Sequence, residues 1–586
     1  MTRRGAAGAA VFVGAAAALY LVSRGKWSDA IIDSGREWIV PDALSRGEML
    51  YRDVVYWFGP FTPYVHAAAF RLFGSSFVTL VAAGAVAAVG VLAALFVVLD
   101  RVAGRRQALA WTALAVPALV FMPHAGGLLL GMGYRIWHAA GWALAAVAAA
   151  SSGRRRSLAL LAGAAAGLAG LCRTEWGLAA LAGCVIALGL SRRGLPGLAG
   201  AATASLAAFL VVLGGGLGTF VLRAGPASVL RDGHVLLFGL PPETREFFVA
   251  FSGIRDWPRG LAQLVYSAAM WLGAALVVEI AALARSEPGL ARRRGWLLGA
   301  LLAVLAGAAL CGGASGAVLF SAAPAVSAAG LLLGARRAGR PRAAALAACG
   351  FLGLVLSYRR PFHIGDSAYV GPPLAFAFVC AAGLSAAFAA RRAGAPSRRR
   401  LSSALLAAAA GLVAFAYLGR ILQYASDERV AIAATGGMLS ADPATAKEVV
   451  SLSGWIREKT SPGDGLVVIP EGEVLNFLSG RANPLRDKLY IPGYLTRDNE
   501  SAVLAELASA RPAAIVLWFR TTSEYGPGAF GTEYGRDLAA WIRSHYVERV
   551  RRGPLSGGAA PRLLLRADTR LGREESIGYP VETRSP

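Results

Sequence analysis

The part of this chain best supplied for chemistry is a polar loop at 23–75, which between positions 27 and 70 reads WSDAIIDSGREWIVPDALSRGEMLYRDVVYWFGPFTPYVHAAAF. It holds the carboxylates Asp29, Asp33, Glu37, Asp42, Glu48 and Asp53, interleaved with Arg36, Arg46 and Arg52 and with Trp27, Trp38, Tyr51, Tyr56, Trp57, Phe58 and Tyr64. Carboxylates can move protons or ligate a cation, and guanidinium groups can hold an anion. Asp33, Arg36, Glu37 and Val40 fall three or four apart, with Trp38 and Pro41 bracketing the end of that stretch. Such spacing puts the carboxylates and Arg36 on one face of a short helix lying at a membrane surface. The competing reading is a solvated loop with an aromatic interfacial belt. Against it, ionisable groups beside a membrane span are costly and tend to be functional.

The elements that must position this loop are apolar. Of 586 residues 56% are hydrophobic and only 16% charged, with a mean hydropathy of +0.52, which excludes an ordinary soluble enzyme. Apolar runs of membrane-crossing type occur near 6–22, 77–99, 108–122, 136–151, 157–171, 176–190, 197–222, 263–284, 296–311, 315–334, 343–357, 370–390 and 401–419, about thirteen helices. Arginine clusters fall between them in strict alternation: Arg3/Arg4, Arg101/Arg105/Arg106, Arg154 to Arg156, Arg192/Arg193, Arg285 with Arg292 to Arg294, Arg336/Arg337/Arg340/Arg342, and Arg391/Arg392 with Arg398 to Arg400. These clusters contain 23 cationic residues and only Asp100 and Glu287 as acids, so they carry all but about three of the net +24. The basicity therefore marks the inner side of a membrane and not a nucleic-acid partner. It predicts a multi-pass protein of the cytoplasmic (inner) membrane, with its N-terminus inside and its C-terminal domain on the extracytoplasmic side. The first span runs into Ser23-Arg24-Gly25-Lys26-Trp27 without a small-residue cleavage site, so it is expected to remain as a helix. Cys172, Cys184, Cys311, Cys349 and Cys380 all fall in or beside spans and are expected to pack as small apolar residues.

At Asp33 the loop resembles a known family. Asp33-x-Gly-Arg-Glu, then Leu44-x-x-Gly47-Glu48-x-Leu50-Tyr51-Arg52-Asp53, Gly59-Pro60, Pro63-Tyr64 and Phe70-x-Leu72-Phe73-Gly74 look like the first outer loop of GT-C superfamily glycosyltransferases, most of all the protein-mannosyltransferase and aminoarabinose-transferase branch. In that family an Asp about fourteen residues before a Gly-acid pair serves as catalytic base, and the match puts that role on Asp33. The resemblance covers residues 29–74 specifically and the rest of the chain loosely. It departs at Gly59, where many members carry a Lys before the matching Pro that contacts the donor phosphate.

The resemblance implies an inverting glycosyltransferase moving a sugar from a polyprenyl-phosphate donor to a glycolipid, polysaccharide or protein acceptor. It implies a substrate site drawn from Arg36, Glu48, Asp53, Tyr56, Arg135, Arg173, Glu175, Arg359, Arg360 and His363. A carboxylate would take the acceptor's proton, and fixed positive charge would receive the departing phosphate. Arg359 and Arg360 stand against the positive-inside pattern, which fits either anion binding or an interfacial anchor. Arg173 and Glu175 can also simply pair with each other. The six histidines, His66, His124, His138, His234, His363 and His545, match no zinc spacing. A carboxylate-held Mg²⁺ or Mn²⁺ near Asp33 and Asp53 is left open.

From about Ser426 the composition becomes that of a soluble domain, giving an expected division at 1–425 and 426–586. Asp442-Pro443 predicts a capped helix to about Thr460, followed by strands at 465–469, 514–518, 546–550 and 562–566 alternating with helices near 499–510 and 533–545. The expected architecture is thus an α-helical polytopic membrane protein of GT-C-like type with a small C-terminal α/β domain built on a parallel core. Arg481 and Arg486 fall in a stretch of this domain that also resembles the outer domain of bacterial GT-C proteins, which suits acceptor recognition or docking over the active site; the plainer reading is a surface loop. A transporter or flippase would need ionisable or helix-breaking groups near the bilayer midplane, and the spans are almost charge-free. A non-catalytic subunit of envelope glycan assembly is the other alternative.

Overall fold

The computed structural model describes residues 3–123, 127–131, 133–152, 155–191, 195–233, isolated positions between 242 and 265, and then 323–337, 339–357, 371–391, 413–414, 416–518, 522–551 and 561–566. The expected spans at 263–284 and 296–311, and most of the one at 401–419, lie outside these residues, as does Cys311.

Among the described residues the bundle is formed by α1 (Arg3–Ser23), α4 (Phe77–Ala103), α5 (Arg105–Ala115), α6 (Tyr134–Ser151), α7 (Arg156–Cys172), α8 (Thr174–Ser191), α9 (Leu195–Ala224), α11 (Ala323–Ala335), α12 (Pro341–Leu356) and α13 (Gly371–Arg391). Most of these begin and end within two or three residues of the expected runs. The run at 108–122 differs: α5 ends at Ala115, and Pro117, which cannot donate a backbone hydrogen bond, lies in a wider turn at Val116–Val120. Three of the described helices have segments long and apolar enough to cross a bilayer, Phe77–Ala103, Thr174–Ser191 and Gly197–Ala224, while others such as Arg156–Cys172 and Pro341–Leu356 are apolar but shorter.

Small residues set the packing. Helix α7 packs on α6, α8 and α9, and α11 packs on α12 and α13. Ala139, Ala140, Ala143, Ala146, Ala150, Ala162, Ala166 and Ala169 are all fully buried. Gly163 lies so near α9 that a Cβ there would come within 1.9 Å of the Ser205 carbonyl oxygen. Such contacts replace the hydrophobic drive that lipid cannot supply between helices. Large apolar side chains such as Val86, Val89, Val211 and Leu222 instead point outward, as a lipid-facing surface requires.

Two short helices lie in the loop between α1 and α4. Helix α2 (Asp33–Ser45) continues through Pro41 instead of ending there, and most of it is buried. It is therefore not a helix resting on a membrane surface. Gly35 packs so closely on the C-terminal domain that a Cβ would lie 2.6 Å from the Val474 nitrogen, and Trp38 meets Phe477 edge-to-face at 5.3 Å. This tertiary cover offsets the hydrogen bond that Pro41 removes. Helix α3 (Phe61–Phe73) arises where the sequence reading has only loop; it buries His66 and Phe70 and leaves Leu72 and Phe73 exposed, the pattern of an interfacial helix. Helix α10 (Pro226–Gly233) follows α9.

The C-terminal part has a two-stranded ribbon, β1 (Val430–Ala431) with β2 (Ser440–Ala441), and a four-stranded sheet. The sheet comprises β3 (Leu466–Ile469), β4 (Ala514–Leu517), β5 (Tyr546–Arg551) and β6 (Arg562–Arg566), in the order β3-β4-β6-β5. Helices α14 (Pro443–Lys459), α15 (Val474–Ser479), α16 (Glu500–Ala510) and α17 (Arg536–His545) accompany it. The Asp442 carboxylate accepts from the Thr445 amide at 3.0 Å, capping α14 as expected. The expected parallel core is confined to β3 and β4, since β6 runs antiparallel to both β4 and β5. Only 552–561 separate β5 from β6, which is too short for a parallel crossover.

Candidate active site

The first loop and the C-terminal domain enclose a pocket at the end of the bundle. Its walls include Arg36, Glu37, Tyr56, Trp57, Phe58, Thr62, His66 and Arg135 from the N-terminal half, with Lys488, Ile491, Tyr494 and Tyr525 from the C-terminal domain. Trp57 and Tyr494 stack face to face across the junction, with ring centroids 3.8 Å apart and planes 3° from parallel.

The cationic side of the site is built from the first turn of α6 and the junction between α7 and α8. Arg135 and Arg173 are 9% and 3% exposed, and both guanidinium groups lie over the Phe58 ring, 3.9 and 5.1 Å from its centroid. One aromatic ring thus contacts two buried cations. Arg135 donates to Glu37 at 3.0 Å, and Arg173 pairs with Glu175, as the plainer sequence reading allows. Burial pushes the Glu37 carboxyl up to about 7, against the pull of Arg135 and with a further push from Asp33.

Asp33 is the first residue of α2, half-buried, one turn before Glu37. Arg36, on the next face of that turn, is paired with the fully buried Glu471 from the segment after β3. Tyr56 lines the pocket, and burial pushes its phenol up, so it remains a neutral hydroxyl.

The structure places Glu48 and Asp53 in a different role. Asp53 accepts from Arg52 and from the Met49 amide, and the Arg52 hydrogen bond is the main influence holding its carboxyl below the usual range. Glu48 accepts from Lys488 at 3.1 Å, and Lys488 also donates to the Asn483 and Leu485 carbonyls. Next to it, Arg486 donates to the Tyr51 and Arg52 carbonyls and to Asp232. These contacts clasp the C-terminal domain to the loop. Arg486 therefore takes a docking role within the chain, and Arg481 is buried and donates to the Ser479 and Thr460 carbonyls. Among the described residues no three His, Cys, Asp or Glu side chains gather as metal ligands. Arg359, Arg360 and His363 lie outside the described residues.

Gly59 also has a structural reason. Its amide donates to the Cys172 carbonyl at 3.2 Å, and a Cβ would sit 2.0 Å from the Leu171 carbonyl oxygen. No lysine fits there in this packing. Gly59→Ala is expected to destabilise the protein by about 1–3 kcal/mol through overpacking, read as a lowered thermal midpoint.

No protein-family model matches the chain, and no curated protein matches it. Solved structures do. The oligosaccharyltransferase of Archaeoglobus fulgidus, solved with zinc and sulfate, aligns with 94% of this chain and 72% of its own at 15% identity and a TM-score of 0.51. The chain has the GT-C fold. Other structures aligned with this chain are archaeal AglB from Archaeoglobus fulgidus with an inhibitory peptide and a dolichol-phosphate, over 99% of this chain and 76% of that one at 14% identity and TM-score 0.49, and ArnT from Cupriavidus metallidurans bound to undecaprenyl phosphate, over 95% and 98% at 15% identity and TM-score 0.49.

Within this chain the sequence reading missed Glu37 as a site residue, together with Glu471, Lys488, Tyr494 and Tyr525. Two had a visible signal. Glu37 lies four residues after Asp33, on the same helical face. Lys488 is one of four lysines in a chain that otherwise uses arginine, and its ammonium points three ways into carbonyl and carboxylate oxygens, a geometry the flat guanidinium fork does not match.

Proposed function

We propose that this membrane protein is an inverting glycosyltransferase that moves a sugar from a polyprenyl-phosphate donor to a hydroxyl- or amide-bearing acceptor at the outer face of the cytoplasmic membrane. The observation that carries the reading is the pair of buried guanidinium groups, Arg135 and Arg173, meeting on Phe58 beside the acid-bearing helix α2. A lipid phosphate needs that arrangement: fixed positive charge in a water-poor cleft at the end of an apolar bundle. The shared fold with an oligosaccharyltransferase supports the same class.

In this reading Asp33 takes the proton from the acceptor as its heteroatom attacks the anomeric carbon. The carbon–oxygen bond to phosphate breaks in the same displacement, and the electron pair leaves on the phosphate. Arg135 and Arg173 hold the leaving group, which needs no acid. A single displacement inverts the anomeric centre. The C-terminal domain, through Tyr494, Tyr525 and Ile491, walls the side from which an acceptor enters.

The test is direct. The purified full chain in lipid nanodiscs is offered polyprenyl-phosphate sugars and membrane glycolipid extract, and release of free polyprenyl phosphate is followed by mass spectrometry. Release that depends on both components supports the reading; no release from any donor refutes it.

Glu37 makes donor binding depend on pH. Its folded pKa of about 7 lies above the ordinary carboxyl value of 4.5, so its protonated form is favoured in the fold. The associated stability is fully present below 4.5 and is lost as pH rises through about 7. Protonation also frees Arg135 from its carboxylate. Affinity for a polyprenyl-phosphate sugar, whose phosphodiester charge is constant here, is therefore expected to rise as pH falls through neutrality. Glu37→Gln is expected to flatten that profile at its low-pH level, measured by titrating donor lipid in nanodiscs.

A further inference from the structure

His66 is a polar wall residue that this mechanism does not use. Its imidazole is 1% exposed and lines the pocket, and among the described residues neither ring nitrogen has a hydrogen-bond partner. It lies edge-on to Tyr134 at 4.7 Å and to His138 at 5.7 Å, while His138 itself exchanges a hydrogen bond with Thr62 at 2.9 Å. Burying an imidazole with both nitrogens unbonded costs free energy that a bound ligand can return.

Resting on the glycosyltransferase reading above, we propose that His66 forms a sugar subsite, hydrogen-bonding a hydroxyl of the donor's sugar and not its phosphate. Helix α3, which carries His66, lies outside the membrane spans, and burial together with His138 holds the imidazole down to about 3. It is therefore neutral, with one N–H to give and one lone pair to receive. A hydroxyl also gives and receives one hydrogen bond, whereas a phosphate oxygen only accepts. The charge a phosphate needs is already at Arg135 on the same wall. The same pocket is lined by Tyr56, Trp57 and Phe58, apolar faces on which the carbon–hydrogen face of a pyranose or furanose can lie.

The experiment compares two kinds of lipid on the full chain in nanodiscs: bare decaprenyl phosphate, and decaprenyl phosphate carrying mannose, glucose, arabinose or aminoarabinose. For the sugar lipid that the parent binds most tightly, His66→Phe is expected to weaken affinity about 10- to 100-fold while changing bare-lipid affinity less than about 2-fold. His66→Gln, which keeps a donor and an acceptor, is expected to stay within about 5-fold of the parent for that sugar lipid, and it answers the question if His66→Phe does not fold. Unchanged sugar-lipid affinity in His66→Phe overturns the subsite, since an ordered water would then satisfy the imidazole. An equal loss for both lipids also overturns it, because His66 would then serve the phosphate or the packing. If the parent binds no sugar lipid better than bare lipid, no sugar subsite exists. If the parent binds neither kind, the glycosyltransferase reading fails as well.

Discussion

Asp33→Asn is expected to lower sugar transfer by about 10²–10⁴-fold while the protein still folds and still binds its donor lipid. The substitution removes a base but keeps size and hydrogen-bonding shape. At the first position of α2 the amide loses the charge–helix attraction, worth about 0.3–1 kcal/mol, so the thermal midpoint should change little. Asp33 also helps keep Glu37 protonated, so in the variant the Glu37 pKa should fall and the donor-binding pH profile should move with it. A merely structural aspartate would not link transfer rate and that profile. Single-turnover transfer at the parent rate by purified Asp33→Asn protein would remove Asp33 from the chemistry.

Arg135→Met carries the second large effect, and it has two separable parts. Affinity for the donor phosphate is expected to fall about 10²-fold, since a charge-assisted contact in a water-poor site is lost. Stability is expected to fall chiefly above neutral pH, since Glu37, already held up to about 7 with Arg135 beside it, takes up a proton when its cation is removed and is left unpaired only where it must ionise. Glu37→Gln in the Arg135→Met background is expected to restore most of the stability and none of the donor affinity. This double variant separates the ion pair that holds α2 to α6 from the cation that receives phosphate. If the pair restored both, Arg135 would be serving the fold alone.

How much could be read in advance depended on how local the cause was. The bundle helices follow from apolar runs that end in arginine, and the strands of the C-terminal domain from short Val/Ile/Leu blocks between Gly and Pro, so both are largely visible in sequence. Helix α2 was visible as a helix but not as a buried one, because Gly35 and Trp38 are covered by residues 473–477, more than four hundred positions away. Helix α3 was hidden for a similar reason: 61–73 carries two aromatics and a Pro at its start, and its helical state depends on packing against α2 and α4. In the site, Arg135 and Arg173 could be suspected from their places at span ends. Their meeting on Phe58 could not, since nothing in the sequence brings 58, 135 and 173 together. Glu48 showed the opposite limit: a carboxylate in the right loop can be spent on a clasp, and only the position of Lys488 reveals it.

The clasp has a further consequence for how this protein comes into being. The pocket draws its walls from 36–66, from 135 and from 488–525, so a chain emerging in order from the ribosome completes the cationic floor long before the opposite wall. A chain terminated before 488 would have a floor with no opposing wall. The pocket is in effect licensed by the arrival of residues 488–525, and nonsense alleles upstream of them should behave as nulls and not as weakened forms.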